Sequence, residues 1–401
     1  MACVVQVVRT WRVGAIVVDR KGRVVIVQRR LTHYRVPVFE TLRTVLAGRG
    51  VNLELLHGRG TPEEEKKRDA GELSWARTIP TTRYLAGGRL CWQPLAGHLG
   101  DPALVIVTQE NKLLYNQLLM LAPRRFKLAF WGHGANLQSD KPDGLKERYK
   151  RWTTNRVDWW FGYTQMSADL VRRAGFPAER ITVLNNAVDT SELLRQRRSI
   201  TPAETAALRE ALGLEVGPVG VYVGSLYADK RLDFLFSAAE SIRAAVPDFS
   251  LLLVGDGPER DKVQSWCAAH PWARWVGARF GREKAAHISV AQVMLNPGGV
   301  GLGILDAFAC GVPMVTTDCG RHGPEIAYLR NGTNGVMTAD RHGDYVDASL
   351  ELLLDVARQN RMRDACAADA EVYTLENLVR CFADGIVRCL DTPRYRTRVA
   401  A

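Results

Sequence analysis

The run from Leu295 to Gly320 reads LNPGGVGLGILDAFACGVPMVTTDCG and sets four glycines, at 298, 299, 301 and 303, within six positions. An apolar, helix-like stretch follows and stops at Gly311-Val312-Pro313. A glycine turn between a strand and a helix offers unpaired main-chain N–H groups and the positive end of the helix dipole. Phosphate binds at such a place, and glycine lets it approach the backbone closely. The same glycines would also permit close helix–strand packing, and this one stretch does not separate the two readings. Asp306 lies one turn inside the helix, where it either complements the dipole or reaches a ribose. Two more glycine turns precede it. In VGVYVGSLYADKRLDFLF, Gly224 and Ser225 follow a strand, and Lys230 and Arg231 open a helix; in LLLVGDGPERDKV a second strand runs into Gly255 and Gly257. Three glycine turns converging on one lysine describe a diphosphate site with Lys230 as its point charge. Read alone, Lys230 is equally a solvated residue at a helix start.

Turns of this kind converge only if the strands before them are parallel. Short β-type runs alternate with helical patterns along the whole chain, which predicts an α/β protein with crossover helices. Strands are expected at Val24–Gln28, Asn52–His57, Ala103–Thr108, Leu128–Trp131, Trp159–Tyr163 and Ile181–Leu184. The alternation pauses over 191–217, where charge, proline and short helix mark a linker. It resumes with strands at Val219–Val223, Ser250–Val254, Ala273–Val276, Val293–Leu295 and Pro313–Thr316. With 401 residues the chain is long enough for two domains. The reading is two doubly wound, Rossmann-like domains, 1–190 and 218–378, and a terminal helix over 379–401. A ligand cleft lies between the carboxyl ends of the two sheets. The polar segment 60–80 reads as a mobile excursion, and residues 1–20 precede the first expected strand.

The formal net charge is +11 with a pI near 9.4, which favours anionic partners. Much of the excess sits between Arg124 and Arg156, and LKERYKRWTTNRV has helical spacing with Tyr149 and Trp152 on one side. A basic aromatic helix over 141–156 suits an anionic membrane surface, or simply a solvated face with a packed stripe. No apolar run is long enough to span a bilayer. The charged N-terminal stretch lacks the features of a secretory signal, and eight cysteines lie scattered without a C-x-x-C pair. A cytoplasmic protein with free thiols is therefore expected. No recognition helix or zinc pattern accompanies the basic charge, so nucleic acid is not an expected partner.

The order GSLYADKRLDFL, LLLVGDGP, WVGARFG, NPGGVGLGILDAFACGVPMVTT and GPEIAYLRNGTNG resembles the nucleotide-binding half of a family 4 glycosyltransferase, a retaining enzyme of the GT-B fold. VIVQRRLTHYRVPVFETL, FWGHGAN and ITVLNNAVD are similar, more loosely, to the first half of bacterial polysaccharide-assembling members. The resemblance implies a nucleoside-diphosphate sugar (UDP or GDP) as donor and a glycan or lipid-linked acceptor. It implies that Lys230 holds the donor diphosphate together with Gly224, Ser225, Arg231 and the amides of Gly301 and Leu302. Asp306 would take the ribose hydroxyls, and His133 would line the sugar site beside the catalytic centre. Gly298, Gly299, His322 and Glu325 fall on the donor-sugar side, and Gly277 and Arg279 where the family contacts the base.

Two departures from the family stand out. Its first motif glutamate is replaced by Gly298, so the motif reads Gly298-x7-Asp306, and its phosphate-binding arginine is replaced by Ser225. Arg231, Arg30 or Arg35 would supply the missing charge, and His322 the missing sugar contact. Arg30, His33 and Arg35 form a loop that either meets an acceptor phosphate or coats the surface. The sequence contains no D-x-D motif. Fixed dipoles and a lysine can stabilise a departing diphosphate, so no metal or other cofactor is expected.

Overall fold

The computed structural model describes residues 22–65, 69–134, 145–214 and 217–395. The segment 1–20, Lys141 and the end of the FWGHGAN motif lie outside the described residues.

Two parallel sheets carry the chain. The first has seven strands in the spatial order Arg77–Thr78, Val51–His57, Gly22–Gln28, Leu104–Thr108, Lys127–Gly132, Trp159–Gly162 and Ile181–Val183. The second has six, in the order Ala273–Trp275, Ser250–Val254, Val219–Val223, Val293–Leu295, Met314–Thr317 and Gly335–Thr338. Val24 to Ile26 and Leu251 to Leu253 are wholly buried, as expected for strands covered by helices on both faces. In each sheet the order reverses beside the first strand. The reversal opens a crevice at the strands' carboxyl ends, which is where such sheets bind ligands. The loops after Gly22–Gln28 and Val219–Val223 lie there, as does the glycine turn after Val293–Leu295.

Helix Gly303–Cys310, which follows that turn, ends where Gly311 turns left-handed at φ 64°. The Gly311 N–H donates to the Phe308 carbonyl and the Val312 N–H to that of Ala307, closing the last turn. The linker is more than a tether. Helix Ser191–Arg198 packs on helices Gly281–Ser289 and Gly303–Cys310, and Pro202–Ala211 begins with a capping box between Thr201 and Glu204.

The last helix, Leu375–Asp391, lies on the first domain. Phe382 packs against Trp131 and Phe161, at ring distances of 4.9 and 4.8 Å. Lys127 Nζ donates to the carbonyls of Cys389 and Leu390, capping the helix end with a cation.

The described parts of segment 60–80 are tied to the first domain: Arg29 pairs with Glu64, Arg30 with Asp69, and Arg77–Thr78 extends the first sheet. The strands at Arg83–Leu85, Leu90–Trp92 and Gly335–Thr338 are only three or four residues long, too short for an apolar run to announce them. No helix among the described residues is long and apolar enough to cross a membrane.

Candidate active site

The glycine turn is bound to the lysine loop through its backbone. Gly299 N–H donates to the Asp229 carbonyl, and Lys230 Nζ donates to the Gly299 carbonyl. A Cβ built on Gly298 would stand 2.6 Å from the carbonyl oxygens of Asp229 and Lys230. Glycine is required here by close approach, since Gly298 is not among the residues with positive φ. Gly301 and Gly303 differ, because a Cβ there meets nothing within 4 Å. The N–H groups of Gly301, Leu302 and Gly303 have no acceptor among the described residues, and they stand at the N-terminus of helix Gly303–Cys310. Three free donors, a helix dipole and a neighbouring ammonium are an arrangement that can hold an anion. Burial lowers the pKa of Lys230 from its ordinary value.

The other two glycine turns hold each other. Gly224 N–H donates to the Val254 carbonyl, Leu226 N–H to that of Asp256, and a Cβ on Gly255 would fall 1.8 Å from the Gly224 oxygen. The Gly224 amide is therefore engaged, while Ser225 is exposed.

A cavity of about 970 Å³ opens between the domains. His33, Tyr34 and Asp69 line it from the first domain; Gly224, Ser225, Arg279, Phe280, Lys284 and Asp306 are among those lining it from the second. Its size suits a small-molecule site. Asp306 takes part in an ion pair with Lys284, with Oδ1 2.8 Å from Nζ. Neither Lys284 nor Phe280 is singled out by the sequence, where REKAAHIS reads as an ordinary polar helix. Arg279 pairs with Glu283 at 3.6 Å, and the Gly277 carbonyl accepts from the Gly255 N–H.

Several expected contacts are placed elsewhere. Arg231 adopts a left-handed backbone, forms an ion pair with Asp340, donates to Pro297 and Thr317, and covers the Phe234 ring. These bonds all use Nη1 and tie loops together, while the side chain stays 29% exposed. His322 is buried: its Nδ1 accepts from the Val300 N–H and its Nε2 donates to the Thr317 carbonyl. Both nitrogens clamp the loop, so no sugar contact remains for it.

Arg35 is only 7% exposed and donates to Asn186 Oδ1 at 2.8 Å, and Asn186 Nδ2 donates to Glu325 Oε1 at 2.6 Å. The faces of Trp131, Tyr163 and Tyr34 surround the guanidinium at 5.0 to 5.5 Å. Arg35 and Glu325 are thus joined through Asn186 in a buried bridge between the domains. Burial raises the Glu325 pKa against the opposing hydrogen bond from Asn186. Arg30 is held by Asp69 through two bonds of 2.6 and 2.8 Å, whereas His33 is exposed at the cavity. His133 is exposed just beyond strand Lys127–Gly132, its ring edge-on to Tyr163 at 4.7 Å. Desolvation pushes the Tyr163 hydroxyl up to about 12.

Comparison with known proteins follows this division of the chain. The model described as Glycosyltransferase Family 4 matches residues 38–192, and that described as Glycosyl transferases group 1 matches residues 217–355. The GDP-mannose-dependent alpha-(1-6)-phosphatidylinositol monomannoside mannosyltransferase of Mycolicibacterium smegmatis is 29% identical over 50% of this chain and 53% of its own. The alpha-D-kanosaminyltransferase of Streptomyces kanamyceticus is 27% identical over 52% of this chain and 54% of its own. The matches thus span about half the length of these curated relatives. The crystal structure of Anabaena HepE in complex with UDP superposes with a TM-score of 0.66 at 16% identity, covering 91% of this chain and 99% of that one. With each half matched by a glycosyltransferase model and the two-sheet architecture shared throughout, the chain belongs to the family 4 glycosyltransferases and has the GT-B fold.

Proposed function

We propose that the protein moves a sugar from a nucleoside-diphosphate donor, UDP- or GDP-linked, to a lipid-linked glycan or surface polysaccharide, with retained anomeric configuration and no divalent metal. The observation that carries this reading is the set of free amides at Gly301, Leu302 and Gly303, with the Lys230 ammonium bonded to the same turn. As the bond from the anomeric carbon to the diphosphate oxygen breaks, negative charge grows on the leaving group. Donors already aimed at that charge stabilise it without reorganising, each typically contributing about 10²–10³ in rate. Attack from the same face lets the departing phosphate oxygen take the acceptor's proton. No second carboxylate is then needed at Gly298, where the packing leaves no room for one. The donor class is supported by the names of similar proteins, one GDP-mannose-dependent and one crystallised with UDP.

A membrane-borne acceptor is supported by one face of the first domain. Leu118, Leu121, Tyr149 and Trp152 are exposed together there, Tyr149 bonding to Gln117 and Arg156 lying over the Trp152 ring. Aromatic and basic side chains in this mixture suit an anionic bilayer surface on the cytoplasmic side. A second reading, transfer to a small secondary metabolite, draws on the similarity to the kanosaminyltransferase. Flotation with anionic vesicles separates the two, since only the first reading expects binding that Trp152→Ala weakens.

The central test is a thermal-shift panel of UDP- and GDP-sugars, with and without a chelator, followed by transfer assays. Ligand at about 100-fold above its Kd should add ~2.7 kcal/mol of stability. A chelator that abolishes transfer refutes metal independence. Donor binding without turnover on any glycan or small acceptor shows a binding protein that has kept the fold.

A further inference from the structure

Lys284 and Asp306 meet in the wall of the interdomain cavity, on helices Gly281–Ser289 and Gly303–Cys310. Both side chains are largely covered, at 25% and 18% exposure, yet both reach the cavity. One bond joins them, from Nζ to Oδ1. Asp306 Oδ2 has no partner among the described residues, and an ammonium carries three donors, of which Lys284 uses one. The pair therefore presents an acceptor and donors side by side. A lone carboxylate accepts only. An acceptor beside a donor matches two adjacent hydroxyls, one donating to Oδ2 and the other accepting from Nζ. The pair sits one turn along the helix from the free amides of Gly301 to Gly303. That is the distance scale between a nucleoside diphosphate's phosphates and its ribose diol.

We propose that Lys284 is a specificity-determining residue, which with Asp306 makes the site demand both ribose hydroxyls of the donor nucleotide. The proposal rests on the donor reading above and adds to it a residue that Asp306 alone does not require. The ion pair also holds the carboxylate in place before the ligand arrives, so Lys284 orients as well as binds.

Calorimetry on the full chain with UDP and GDP, and with their 2′,3′-dideoxy counterparts, tests it. The wild type should bind the ribose forms about 10- to 100-fold more tightly, the scale of hydrogen bonds to charged groups. In Lys284→Met that preference should fall by about tenfold, with dideoxy binding changed less than about threefold. Lys284→Arg, which retains charge and donors, should keep the preference, and this separates recognition from any effect on folding. An equal loss for ribose and dideoxy nucleotides in Lys284→Met overturns the proposal while leaving the donor reading intact. A wild type that binds neither nucleoside diphosphate overturns both.

Discussion

Restoring a side chain at position 298 should damage the protein, although the family carries a glutamate there. The built Cβ stands 2.6 Å from two carbonyl oxygens of the Lys230 loop, well inside van der Waals contact. These atoms belong to the backbone and cannot swing aside as a flexible side chain would. Accommodation means moving Asp229 and Lys230 away, which breaks the Gly299-to-Asp229 bond and draws Lys230 Nζ off the Gly299 carbonyl. Overpacking of this kind costs about 1–3 kcal/mol, and each lost hydrogen bond adds ~1 kcal/mol. For Gly298→Ala the sum is about 3–5 kcal/mol, or a fall of roughly 6–20 °C in the melting temperature of a domain this size. Gly301→Ala is the control. Its Cβ meets nothing, so stability should be unchanged while donor binding falls, because the methyl fills the space the phosphate needs. Differential scanning fluorimetry with and without UDP or GDP reads both quantities. The reasoning is refuted if Gly298→Ala melts within about one degree of the wild type, well inside the expected shift. A gain of turnover in Gly298→Glu would refute it equally.

Substitutions at three other positions probe the remaining parts. Lys230→Ala should lower turnover by about 10²–10³, the usual loss of one preorganised donor. Because burial lowers the Lys230 pKa, donor affinity should decline as pH rises through that lowered value, and in Lys230→Arg this alkaline decline should vanish. Phe280→Ala should leave the melting temperature unchanged, since the ring is 77% exposed, while nucleotide affinity falls by about 1–3 kcal/mol and pyrophosphate affinity holds. A matching loss for pyrophosphate would show that the ring does not stack on the base. Burial raises the Glu325 pKa, so ionising that carboxyl costs more in the folded than in the unfolded chain. Its contribution to stability is fully present below the unfolded pKa and is lost as pH rises through the folded one. Glu325→Gln keeps the acceptor for Asn186 and should gain stability over the wild type between mildly acid and neutral pH. Urea titrations at both ends of that range check the sign, and a gap that widens toward acid would contradict it.

The sequence by itself determined the two parallel sheets and the glycine turn with its open amides. Both are local properties: an apolar run of five residues can only be a buried strand in this alternation, and glycine permits close approach wherever it stands. Lys230 was legible for the same reason, lying in a loop between one such strand and its helix. Tertiary structure alone decided which polar groups face one another. Arg35 looks like a free cleft cation in RRLTHYRVP, yet it is buried against Asn186, 151 positions away. Arg231 is taken by Asp340, His322 by two backbone groups, and Asp306 by a lysine on a different helix. The short strand Gly335–Thr338 exists because Met314–Thr317 offers it an edge. An ion pair or hydrogen bond forms where two surfaces meet, and spacing along the chain does not contain that distance.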